Sequence, residues 1–184
     1  MSSFTKKVEE ETISTINNSK IDSEIEETTI PIPFLQKDFI GFKEALAFKE
    51  SQGDFTVVNK FGYLGKYQFG KKTLRRFKIY DTKDFLKNPT LQEKAFVALC
   101  KVNKWILRKD IRRSVGTRIN GILVTESGIL AAAHLAGAGN VKKFLRSQGT
   151  HEFKDGFGTS IDTYLKKFAG YDVSNIIADK KATV

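Results

Sequence analysis

The chain is poor in the residues that staple, coordinate or anchor: 184 residues hold one Cys, one Trp, two His and three Pro. One cysteine closes no internal disulfide, so this is not a small disulfide-stapled scaffold. Cys100 lies in an apolar stretch and reads as a small core residue. His134, His151 and Cys100 stand at no metal-ligand spacing, so neither a zinc site nor any other cofactor is expected. Long hydrophobic runs are missing too. The longest weakly polar stretch, Gly128 to Gly139, has 12 residues and contains His134, too few to cross a bilayer. Near the N-terminus, Lys6 and Lys7 are followed by Glu9, Glu10 and Glu11, where a secretory signal needs an apolar core. No signal peptide and no membrane span are expected.

Core-forming residues are plentiful. Hydrophobic residues make up 40% of the chain, and 15 of its residues are Phe, which excludes wholesale disorder. Charge is unevenly spread. Residues 1–36 carry three lysines against seven acids, a net of −4, so the rest carries +14 of the formal +10. The first thirty residues are rich in Ser, Thr, Asn and Glu, with no aromatic after Phe4, and Pro31 and Pro33 punctuate their end. Residues 1–33 therefore read as an acidic, disordered tail, residues 34–172 as one domain, and residues 173–184 as a short C-terminal tail. The basic excess clusters at Lys71, Lys72, Arg75, Arg76 and Lys78, and at Arg108, Lys109, Arg112 and Arg113. Such clusters attract polyanions, nucleic acid or bacterial wall polymers among them, or serve only as a solvated face.

Helical periodicity dominates. Leu35, Phe39, Phe42 and Leu46 recur at spacings of 4, 3 and 4, one apolar stripe that ends at Ser51-Gln52-Gly53, with Gly53 as the expected cap. Phe55–Val58 and Tyr63–Tyr67, punctuated by Asn59, Gly62 and Gly65, predict a small irregular hairpin. Thr90 and Glu93 form a capping-box pattern that opens a long helix through Leu91, Ala95, Leu99, Val102 and Ile106. Thr125 caps a helix over 126–136 that is apolar almost all round, and therefore central, and that ends at Gly137. Short helices are expected near 140–148 and, capped by Ser160, over 160–169. The fold class is mainly α: a helical single domain with a small β-hairpin beside the first helix.

Glu50 extends the stripe one turn beyond Leu46. If it points inward, desolvation and the negative end of the helix dipole both raise its pKa, as a general acid requires. The bland alternative is a carboxylate turned to water at a frayed helix end.

Three blocks carry a family resemblance. They are Glu50-Ser51-Gln52-Gly53, then Gly62-Tyr63-Leu64-Gly65-Lys66-Tyr67-Gln68-Phe69-Gly70, then Ala131-Ala132-Ala133-His134-Leu135-Ala136-Gly137-Ala138-Gly139-Asn140-Val141. In this order, over residues 38–145, they resemble the lysozyme-like superfamily, most of all the soluble lytic transglycosylases and goose-type lysozymes. His134 and Leu135 depart from the family's Tyr-Asn, which bears on its sugar contacts. The resemblance implies a peptidoglycan-cleaving α+β lysozyme-like domain with Glu50 as general acid at a glycosidic oxygen. It assigns substrate contacts to Ser51 and Gln68, though Ser51 could instead position Glu50 or close the helix end, and Gln68 could be a turn residue satisfying backbone. Tyr63 and Tyr67 could stack on sugars or belong to the core, and His134 could line the cleft or be a satisfied buried histidine. Asp54, Asp81, Asp84 and Glu126 are poor second carboxylates, so a 1,6-anhydro product is expected over hydrolysis. Asp155–Ser160 reads as a loop and helix cap, with Tyr164 and Tyr171 near the groove.

Two other readings stay open: a silent glycan-binding module, and a basic nucleic-acid-binding domain, for which no reader motif is present. A wall substrate lies in the periplasm or outside the cell. With no readable export signal the route there stays open among a phage particle, a holin-type route and a contractile secretion machine, and the acidic tail could dock to such a carrier.

Overall fold

Local sequence rules set most helix ends. The computed structural model describes residues 36–184, so the acidic tail of residues 1–33 and the stripe residue Leu35 lie outside the described residues. Helix α1, Phe39–Ser51, starts at Asp38, whose carboxylate accepts the Gly41 N–H at 2.8 Å. Phe42, Leu46 and Ala47 bury its stripe. Its left-handed exit begins at Gln52 (φ 58°), one residue before the expected Gly53 (φ 86°). The Gly53 N–H reaches back to the Ala47 carbonyl and closes the last turn.

No regular hairpin forms over 54–69. The segment folds back through isolated bridges, Val58 with Leu64 and Leu64 with Phe69. The regular antiparallel hairpin lies elsewhere, β1 (Arg118–Ile119) with β2 (Ile122–Leu123), and β2 packs on the last helix rather than beside α1. Its turn is Asn120-Gly121, both at positive φ (50° and 76°), the Asn-Gly signal of a tight hairpin.

Two short helices were not expected, α2 (Lys71–Arg76) and α3 (Thr82–Lys87). Asp81 caps α3 by accepting from Lys83 and Asp84 N–H groups. Helix α4, Pro89–Ser114, is capped by Asn88 and not by Thr90. Proline fits the first helical position because its missing N–H would be unpaired there, and this fixes the cap one residue earlier. Glu93 is thereby released from any capping role. Cys100 is buried on α4, and burial pushes its thiol pKa up to about 12, which leaves it chemically quiet.

Helix α5, Glu126–Arg146, starts at Thr125 as expected, and Ile129 to Ala133 are buried without a break. Gly137 (φ 76°, ψ 147°) interrupts it, so the expected central helix and the short one after it are two limbs about a kink. Helix α6, Ile161–Lys167, is capped by Ser160. It packs so closely on α5 that a Cβ on Gly128 would stand 2.8 Å from the Leu165 carbonyl oxygen.

Residues 173–184 are not a tail. Val173 and Ile176 join the core, the Lys104 ammonium donates to the Val173 carbonyl, and the Asp179 N–H donates to the Lys101 carbonyl of α4. Deleting 173–184 is therefore expected to lower stability by roughly 3–6 kcal/mol, from about 1.5–3 for each of the two buried side chains. A thermal melt should show Tm falling on the order of 10 °C; an unchanged Tm would contradict this packing.

Candidate functional site

Glu50 stands in the last turn of α1, half-buried. The hydroxyl of Tyr164, from α6, donates to its Oε1 at 2.5 Å. Burial first, and the Glu50 carboxylate second, raise the Tyr164 pKa far above its ordinary value, so the phenol stays a donor. Glu50 opens into a cavity of about 570 Å³. The turn at 59–63 contributes Phe61 and Tyr63, and the next segment contributes Gln68, Lys71 and Lys72. Helix α5 contributes His134 and Leu135, and the loop before α6 contributes Asp155 and Phe157. A second, shallower depression of about 390 Å³ also contains Glu50, with Ser51, Gln52 and Lys167 beside it. Glu50 is thus common to both hollows.

Four of the expected residues, Glu50, Tyr63, Gln68 and His134, share the larger cavity. Gln68 sits at φ 50° and donates from Nε2 to the Gly65 carbonyl at 2.9 Å, so it shapes its own turn as well as lining the wall. His134 Nε2 lies 2.7 Å from the Tyr67 carbonyl oxygen, which only accepts, so Nε2 carries the proton. Its Nδ1 is buried with no partner among the described residues.

Ser51 and Tyr67 take the structural one of the roles open to each, not a substrate contact in the larger cavity. Ser51 is outside the larger cavity, and its hydroxyl donates to the Lys66 carbonyl at 2.7 Å, tying the end of α1 to the following loop. Tyr67 is 0% exposed and cannot touch a ligand. Its ring stacks on Phe96 at 4.1 Å and its hydroxyl donates to Glu93. An aromatic beside a glycine turn carries no local mark of which way it faces.

The loop that holds Gln68 hangs on polar groups of α4. Gln92 is 0% exposed; its Oε1 accepts the Lys66 N–H, and its Nε2 donates to the Phe55 and Phe85 carbonyls. Gly65 makes room for it, since a Cβ there would stand 2.2 Å from Gln92 Oε1. The Lys66 ammonium, buried at 6% exposure, bonds Glu44 at 2.8 Å and Glu93 at 2.7 Å. Burial pulls its pKa down, and the two carboxylates outweigh that and raise it. Burial likewise pushes Glu93 up, but bonds from Lys43, Lys66 and Tyr67 hold it below the ordinary glutamate value of 4.5.

Asp155 is the second carboxylate of the cavity, and it was read only as a loop residue. Its Oδ1 accepts the Phe157 and Thr159 N–H groups at 2.9 and 2.7 Å, and its Oδ2 has no hydrogen-bond partner among the described residues. Asp54 turns away to solvent, where the Thr56 backbone N–H and hydroxyl hold its carboxyl below the ordinary range. Glu126 pairs with Lys104 at 2.9 Å. The sequence signal for Asp155 was the Asp-x-x-x-Thr turn chemistry, which does not reveal what the free oxygen faces. Among the described residues no group of three His, Cys, Asp or Glu could hold a metal ion, and no helix is long and apolar enough to cross a membrane.

No known protein family, curated protein or solved structure matches this chain.

Removing the buried cation should leave Glu44 and Glu93 sharing the Lys43 ammonium alone, at 3.7 and 2.6 Å. Lys66→Met is expected to cost roughly 2–3 kcal/mol, less than the 3–5 of a fully buried pair because both acids are partly solvated. Since the Glu93 pKa is lowered on folding, its contribution is complete above pH 4.5 and is lost as pH falls through the lower folded value. Urea unfolding between pH 7 and pH 3 should show a steeper acid loss for the native chain than for Glu93→Gln; parallel curves would contradict it.

Proposed function

We propose that this protein cleaves the β-1,4 glycosidic bond of bacterial peptidoglycan, in a lysozyme-like domain with Glu50 as general acid and then base. The observation that carries this reading is the position of Glu50 between two hollows. A residue that breaks a bond between two sugars needs room for a ring on each side. Protonated Glu50 gives its proton to the bridging oxygen as the C1–O bond breaks, and positive charge builds on the sugar. Tyr164 holds Oε1 in a fixed direction, which leaves Oε2 for the substrate.

In the lytic course, the Glu50 carboxylate then takes the proton of the sugar's own 6-hydroxyl, whose oxygen bonds to C1. The product is a 1,6-anhydro sugar, no water is consumed, and Glu50 is protonated again. Asp155 favours a second course. Its Oδ2 could hold a water that attacks C1 from the opposite face, giving hydrolysis with inversion. The wall substrate places the working enzyme in the periplasm or outside the cell. The acidic residues 1–33 are proposed to dock it to a delivery machine or phage particle.

Glu50→Gln keeps the shape but supplies no proton. In a turbidity assay on purified wall it should retain less than about a tenth of the native rate, with Tm unchanged, the loss typical of removing a general acid. Digestion in oxygen-18 water separates the two courses. Unlabelled products lighter by one water are expected; label at the new sugar ends would assign the reaction to hydrolysis, and its loss in Asp155→Asn would assign the water to Asp155.

A further inference from the structure

Lys71 and Lys72 line the Glu50 cavity and take no part in the chemistry above. Both are exposed, and neither forms an ion pair with any acid of the described residues. The same cavity has an aromatic wall. Phe61 and Phe157 meet edge to face with ring centroids 4.8 Å apart, yet remain 49% and 58% exposed. Gly156 permits this contact, because a Cβ there would stand 3.0 Å from the Phe61 ring. Two exposed rings from turns nearly a hundred residues apart, with the Lys60 ammonium 5.1 and 5.2 Å from their centroids, offer an aromatic surface to a ligand. Two unpaired ammoniums beside them offer a place for an anion. A neutral polysaccharide uses the first feature and leaves the second idle. The acids Glu50 and Asp155 repel an anionic substituent from their own part of the cavity, which sets the direction in which such a ligand enters.

We propose that Lys71 and Lys72 bind a carboxylate carried by the glycan, so that the cavity selects an acidic amino-sugar polymer over a neutral one. This rests on the glycan-cleaving reading above. In wall glycan the carboxylate has two sources, the stem peptide or the lactyl ether that peptide removal exposes.

The test uses the full chain as Glu50→Gln, titrated by calorimetry against three soluble probes of equal length. These are peptide-bearing wall oligomers, the same oligomers after enzymatic removal of the peptides, and N-acetylglucosamine oligomers. At low salt at least one acidic probe should bind about tenfold more tightly than the neutral one, a ratio two exposed charge contacts can supply. The ratio should shrink as salt rises. Adding Lys71→Gln and Lys72→Gln should bring it close to one, and Lys71→Arg with Lys72→Arg should keep it. Preference for the peptide-bearing probe alone assigns the carboxylate to the stem, preference for the peptide-free probe alone assigns it to the lactyl group, and equal preference for both shows that either carboxylate serves; each supports the proposal. Equal binding of all three probes, or a preference untouched by the glutamine variants, overturns it. A native chain that cleaves wall glycan while the preference is absent defeats this inference alone. One that cleaves no glycan while the lysine-dependent preference persists defeats the cleavage reading alone.

Discussion

The position of the candidate site depends on one buried ammonium. Lys66 is tied at three points: its N–H to Gln92, its carbonyl to Ser51 and its Nζ to Glu44 and Glu93. Those partners lie on α1 and α4, so a single residue sets the loop of 62–70 against both helices. Taking an ammonium out of water costs several kcal/mol, and only well-placed opposite charges recover it. The arrangement is therefore stable in one geometry and poor in neighbouring ones. That property suits a loop whose task is to hold Gln68 and Tyr63 against a carboxylate at the end of α1.

Around Glu50 the protein divides its charge. Tyr164 bonds one oxygen of Glu50, and Asp155 supplies a second carboxylate to the same cavity. Lys71 and Lys72 supply positive charge, and Phe61, Tyr63 and Phe157 supply apolar surface. An acid, an aromatic wall and a cationic wall share this one cavity, and the proposed glycan cleavage rests on that combination. The loop before α6 has two uses. Its Asp155 braces the turn through Oδ1 and still presents Oδ2, and its Phe157 reaches Phe61. The orphaned Nδ1 of His134 adds a polar atom with no partner close to the Tyr67 carbonyl that its other nitrogen serves.

Much of the fold was legible. The α1 stripe, the Thr125 and Ser160 caps and the break at Gly137 each follow from residues within a turn or two of one another. Two further features are marked locally. Pro89 marks the first residue of α4, which makes Asn88 the cap, and Asn120-Gly121 announces the hairpin that was expected at 54–69. Residues 173–184 carry no such mark. Val173 and Ile176 are buried while their apolar neighbour Ile177 is exposed, so the apolar residues of this mixed stretch show no period from which a buried face could be inferred.

The sequence by itself determined the apolar stripe of α1 with Glu50 at its end, the starts of α5 and α6, and the burial of Cys100. These are outcomes of contacts three or four residues apart, which leave a repeating mark in the chain. Only the tertiary structure decided that Tyr67 faces Phe96 rather than the cavity, that Glu93 serves Lys66 rather than a helix cap, and that Asp155, Tyr164 and Lys71 meet Glu50's surroundings. Those contacts join segments far apart in the chain. A hydrogen bond or ion pair across such a distance imposes no spacing on either partner's neighbours, so nothing in the order of residues records it.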